Sequence, residues 1–216
     1  MAGDLEGAPT PPDACHDDLV AESTDGLRER ARALRSEAMG LLEGPAGDVL
    51  RDAFGEVTVA GSVSLDLMAW RDIDLFVHLE AADAPRLLAV VPRFAAALAA
   101  SDQPVSRIAY RDEHLEPDPA FPDVPGLYLG VMTAGGWKVD LWGWDAVRHP
   151  AQQERHRALA SSLAHADRDL VLRLKDALWG RPDYRSMDVY DFVLAGAGDS
   201  LEDFERFRGR PEIEGH

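Results

Sequence analysis

Cysteine is almost absent from this chain of 216 residues; Cys15 is the only one. No intrachain disulfide can form, which points to a reducing, cytoplasmic setting. Lysine is nearly as scarce, since Lys138 and Lys175 are the only two and arginine supplies the other basic side chains. Long apolar runs are missing as well. None approaches the ~18 residues of a transmembrane helix, so no membrane partner is expected. The opening stretch MAGDLEGAPTPPDACHDDLV is acidic and proline-rich. It has neither the basic start nor the apolar centre of a secretory signal, and residues 1–22 read as a disordered acidic tail. Positive charge is also in deficit: 39 Asp and Glu against 22 Lys and Arg leave a formal charge of −17. Nucleic acid is therefore not an expected partner, because phosphate backbones are held by clustered Lys and Arg. A single nucleotide needs only a local pocket and is not excluded.

Hydrophobic residues make up 46% of the chain, enough for a core. Apolar spacing predicts a helix over 25–43 that stops at Gly44. A short strand over 57–60, a helix over 62–69, a strand over 72–79, a helix over 83–100 and a strand over 104–110 come next. Residues 111–126 carry four prolines and several acids and read as a long loop, of the kind that forms lids. Residues 127–133 and 137–142 read as a hairpin turning at Ala134-Gly135-Gly136. The remainder is predicted helical over 146–165, 167–179, 186–194 and 200–207. Strands and helices thus mix in the first two thirds, and helices fill the last.

The chemistry gathers in VAGSVSLDLMAWRDIDLFV, residues 59–77. Side chains on a strand alternate between faces. Ile73, Leu75 and Val77 then form a core stripe, while Asp72, Asp74 and Phe76 share the opposite face. Two carboxylates this close repel each other unless a cation lies between them, and hard divalent ions prefer carboxylate oxygen. The later strand WKVDLW places Lys138, Asp140 and Trp142 on one face. If the two strands are neighbours, Asp140 completes a three-carboxylate cluster able to hold two metal ions. Upstream, Gly61 permits close backbone approach to a ligand, and Ser62 opens a helix whose free N–H groups suit phosphate oxygens.

Gly-Ser, nine residues, Asp-Ile-Asp, and a distant lone Asp on a strand: this order resembles the signature of the nucleotidyltransferase fold, the superfamily that includes DNA polymerase β. It is most similar to the small bacterial aminoglycoside and lincosamide nucleotidyltransferases. The likeness covers residues 57–79 and 137–142 at motif level and the last third only in architecture. It implies an α+β fold, with a mixed, largely antiparallel sheet and helices over 23–145 and a C-terminal helical domain over 146–216. It implies that Gly61 and Ser62 bind the triphosphate of an NTP, with ATP expected. Asp72, Asp74 and Asp140 would ligate two Mg²⁺ ions, and Asp140 would help deprotonate an acceptor hydroxyl. That hydroxyl, on a small molecule, would attack the α-phosphorus and release pyrophosphate. A homodimer with a shared cleft is in keeping with the superfamily. Asp66 stands where a small residue is expected and Arg71 where many members carry Ser.

Several residues keep two readings. Lys175 falls among leucines on a helix; related small enzymes use such a lysine on phosphate, and the alternative is a surface lysine. Lys138 either offsets the acidic cluster or touches the nucleotide, and the alternative is a structural ion pair with Asp140. Trp137, Trp142 and Trp144 could stack on a base, but packing is the expectation. His149, His156 and His165 are expected to face solvent. Met187, Val189, Tyr190, Val193 and Leu194 recur at helical spacing and read as core. A non-catalytic nucleotide-binding regulator, or an antitoxin-like member acting on a protein partner, is the alternative function.

Overall fold

The computed structural model describes residues 22–80, 83–116 and 125–209. The expected tail up to residue 21 and residues 117–124 of the expected loop lie outside that range. Helix α1 (Thr24–Glu43) starts at Ser23, whose hydroxyl accepts from the Gly26 amide, and ends at Gly44 as the sequence predicts. Helix α2 (Pro45–Phe54) has no counterpart among the expected elements. Gly44 breaks the helical run, and Pro45 restarts it at a position where a missing amide proton costs nothing.

Strand β1 (Val57–Ala60) leads directly into α3 (Gly61–Leu65), then β2 (Asp72–His78). The helix expected over 62–69 is cut short because Asp66 adopts the left-handed conformation, φ 56°, at its C-cap. The helix expected over 83–100 is two helices, α4 (Ala84–Ala89) and α5 (Val91–Ala100). Pro92 has no amide proton to bond back four residues, so one helix cannot run through. Strands β3 (Val105–Asp112), β4 (Leu127–Thr133) and β5 (Lys138–Trp144) come next, then helices α6 (Arg148–Leu163), α7 (Arg168–Leu178), α8 (Ser186–Leu194) and α9 (Leu201–Arg208).

The fold is α+β, as expected. The five strands form one sheet in the order β1-β2-β5-β4-β3, in which only the β2–β5 pair is parallel. Ile73, Leu75 and Val77 are fully buried on one face with Val139 and Leu141. Leu50 and Phe54 of α2, Leu87 of α4, and Phe94 and Leu98 of α5 join the same core. A second core gathers Leu163, Leu170, Val171, Leu174, Val189, Phe192 and Phe204 from α6 to α9. Helix α1 belongs to both: Ala38 and Leu42 sit in the first core, Leu27 and Ala31 in the second. Its first half is also tied to α7 by the ion pairs Arg28–Asp169 and Arg30–Asp176. No helix among the described residues is long and apolar enough to cross a membrane.

The corner between α1 and α2 is tight. A Cβ on Gly47 would lie 1.7 Å from the Leu42 carbonyl oxygen, which also accepts from Arg51 at 2.9 Å. Gly47→Ala is predicted to destabilise the fold by on the order of 3 kcal/mol through this overpacking. Chemical denaturation checks it, and an unchanged midpoint would contradict the packing described.

Candidate active site

The parallel register of β2 and β5 sets Asp72 opposite Lys138 and Asp74 opposite Asp140. The three sequence-predicted carboxylates therefore occupy one patch of one sheet face, beside Lys138. Asp140 is 7% exposed, and both its oxygens are engaged. Oδ1 accepts from the Tyr128 hydroxyl at 2.9 Å, and Oδ2 accepts from the Lys138 ammonium. The same ammonium reaches Asp72 Oδ1 at 3.4 Å. Asp74 has no hydrogen bond or ion pair among the described residues.

The electrostatics result from this crowding. Burial raises the Asp72 carboxyl above its ordinary range; Lys138 opposes the rise and Asp140 adds to it. Asp74 is pushed well above that range, by burial first and then by Asp72 and Asp140. Burial alone would lower Lys138, but Asp72 and Asp140 outweigh it and hold its ammonium above the ordinary value. Among the described residues, no three His, Cys, Asp or Glu side chains converge closely enough to hold a metal ion. Lys138 lies where Asp72 and Asp140 would meet one.

Gly61 is where the carboxylate strand and the Gly-Ser turn touch. Its φ is +55°, and a Cβ there would lie 1.8 Å from Asp74 Oδ2, so only glycine leaves room for that carboxylate. Ser62 is buried, and its hydroxyl oxygen accepts from Lys175 Nζ at 2.6 Å. Lys175 is fully buried, which corrects the surface alternative. Its Nζ also donates to the Leu67 carbonyl at 2.8 Å and the Tyr190 hydroxyl at 3.1 Å. All three N–H donors are thus taken by protein acceptors, and the faces of Trp70 and Tyr190 lie 5.3 and 5.4 Å away. The signal was in the sequence: Val171, Lys175 and Leu178 are spaced four and three apart, on the apolar stripe of α7.

Asp66 and Arg71, which depart from the signature that the sequence resembles, both make structural contacts. Asp66 supplies the left-handed C-cap of α3, with Arg35 and Arg168 each 4.0 Å from its carboxylate. Those arginines also donate to the end carbonyls, Arg35 to Val63 and Arg168 to Leu65 and Asp66. Arg71 pairs with Glu37 and lies over the Trp137 ring, on the side where β5 begins.

Sequence reasoning missed Tyr128. It crosses Gly130 to reach Asp140; a Cβ on Gly130 would meet its hydroxyl at 2.3 Å. The Tyr-Leu-Gly spacing on one strand face was the available cue. It also missed Trp70, which stacks on Trp179 at 6.1 Å and meets Tyr184 edge-on. Trp137 and Trp144 are buried, and Trp142 stacks on Trp144 at 5.8 Å, as packing predicts. His165 is exposed as expected. His149 is buried against His78, and half-buried His156 meets Ser64 Oγ at 2.6 Å and the edge of Phe76. The solvent-facing expectation fails for these two because α6 lies across the far end of the carboxylate face. A depression of about 400 Å³ elsewhere is lined by Arg28, Arg32, Asp66, Arg168 and Asp169 and contains none of the site carboxylates.

No protein-family model matches this chain, and no curated protein does. Among solved structures, it is similar to a cytoplasmic RNA terminal U-transferase at TM-score 0.39 and 15% identity, covering 69% of this chain and 42% of the other. It is similar to Escherichia coli MS115-1 CdnC, solved with ATP, at TM-score 0.38 and 17% identity, covering 84% and 61%. The chain thus spans less than two thirds of both. Likenesses this remote carry no functional weight; the site residues themselves do.

The raised Asp74 carboxyl has a thermodynamic consequence. Below the unfolded value of about 3.9 it is protonated in both states and costs nothing. As pH rises, the unfolded chain ionises first, so the native state loses stability until the folded value is passed. Asp74→Asn is therefore predicted to raise the melting temperature at neutral pH, with the gain vanishing below about pH 4. Thermal melts across that range test the direction; a loss at neutral pH would refute it.

Proposed function

We propose that this protein is a Mg²⁺-dependent nucleotidyltransferase that moves a nucleoside monophosphate, AMP from ATP, onto a hydroxyl of a small molecule. One observation carries the reading. Asp74 is a half-buried carboxylate without a partner among the described residues, beside Asp72, in register with Asp140, and pressed against the Gly61 turn. A solvated strand face needs no such arrangement, and an unpaired carboxylate in this setting is costly unless a cation meets it.

The donor set suits a hard divalent ion. Asp72, Asp74 and Asp140 would hold Mg²⁺, which supplies charge neutralisation for the triphosphate. Lys175 fills a lone pair of Ser62, so the Ser62 proton is left to point elsewhere and donate to a phosphate oxygen. On this reading Lys175 serves the triphosphate through Ser62. The acceptor oxygen forms a bond to the α-phosphorus, and the bond to pyrophosphate breaks. The acceptor proton passes to Asp140, which requires Lys138 to release Oδ2. Positioning and charge neutralisation supply the rate. The charge of −17 favours a small acceptor over RNA or DNA.

A second reading, a non-catalytic nucleotide-binding regulator, is favoured by one feature. Lys138 stands between Asp72 and Asp140, and no three donors converge among the described residues. Incubation with labelled ATP, Mg²⁺ and a panel of hydroxylated acceptors separates the readings. Transfer of label is expected, with Asp72→Asn and Asp74→Asn each lowering it by more than about a hundredfold. Nucleotide binding without turnover on any acceptor would favour the regulator; full activity in either variant would sink the transferase assignment.

A further inference from the structure

We propose that Lys138 is a built-in competitor for the divalent ion, occupying the seat between Asp72 and Asp140 until a nucleotide draws it away. The inference rests on the transferase reading of the carboxylate cluster.

The geometry is a matter of register. Lys138 pairs directly with Asp72 across β2 and β5, and lies two residues before Asp140 on the same strand face. Its ammonium therefore contacts both carboxylates from one position. A divalent ion bridging them and this ammonium cannot share that space. Like charges would also repel strongly at such a separation.

The side chain is suited to leaving. Lysine presents one point charge on a flexible stem, without the paired parallel bonds that fix an arginine to a carboxylate. In a chain that otherwise uses arginine almost throughout, lysine stands here. Its side chain is 36% exposed, while the side chains of Asp72 and Asp140 are 14% and 9% exposed, so the cation is the part with room to move. Three carboxylates face this one amine, and Asp74 remains unpaired among the described residues. A cation held by all three carboxylates would have to displace Lys138 from Asp72 and Asp140, whereas Asp74 has no such competitor among the described residues. The displaced ammonium needs an anion, and a triphosphate bound at the neighbouring Ser62 supplies one. Metal and nucleotide would then bind cooperatively, each strengthening the other by the same factor.

The test is calorimetric titration of the full chain with Mn²⁺, with and without a non-hydrolysable ATP analogue. Wild type, Lys138→Met, Lys138→Gln and Lys138→Arg are compared, and thermal melts confirm that each is folded. Lys138→Met and Lys138→Gln are expected to bind Mn²⁺ alone about tenfold tighter than wild type, roughly 1.4 kcal/mol, and to lose most of the coupling to the analogue. Lys138→Arg, which restores a cation at the same register, is expected to stay as weak as wild type. Equal or weaker Mn²⁺ binding by the two neutral variants would overturn the inference while leaving the metal site standing. Absence of Mn²⁺ binding in every protein, with or without the analogue, would remove the metal site itself and this inference with it.

Discussion

The pairing of β2 with β5 is the constraint on which the rest of the site depends. It is the only parallel contact in the sheet, and its register decides which charges meet. A slip of one residue would turn Asp140 toward the apolar core and Val139 into the acidic patch. The register is held from below by Ile73, Leu75, Val139 and Leu141, which fill the core face from both strands. The apolar side of the sheet therefore fixes the electrostatics of the polar side.

Lys175 provides the second anchor. Burying an ammonium costs several kcal/mol unless its donors are satisfied. Here Ser62, Leu67 and Tyr190 satisfy all three, and they come from the Gly-Ser turn, the segment after it, and α8. One buried side chain thus fixes the position of the turn relative to α7 and α8. Truncating it would strand a serine, a carbonyl and a tyrosine together, so its loss would be felt at the turn as well as in the core.

Much of the fold was legible because strand alternation and helix stops are local. The stripe Ile73, Leu75, Val77, the hairpin around Gly135-Gly136 and the stop at Gly44 all depend on neighbours in sequence. The outward face of Asp72 and Asp74 came from the same alternation. Helix α2 was hidden because Gly44 and Pro45 resemble a loop as much as a restart. The place of Lys138 between two carboxylates was not legible, since it depends on a strand pairing across 66 residues. Tyr128 was hidden in the same way, because its reach to Asp140 depends on β4 lying beside β5. Lys175 was legible in principle from its position on the α7 stripe; its charge argued for the surface and its spacing for the core, and the spacing prevailed.

Helix α1 bridges two cores, and this sets an order in time. Its second half can pack as soon as α2 and the sheet are made. Its first half must wait for α7, since Arg28 and Arg30 meet partners 141 and 146 residues further along. At about 5–20 residues per second, the ribosome needs roughly 7–30 s to deliver those partners. During that interval Leu27 and Ala31 have only Leu65 and Leu67 of their eventual core, without the α6 to α9 side of it. A segment made before its partners is thus among the last to be finished, and a chain stalled before α7 would present the first half of α1 as an apolar flag for quality control.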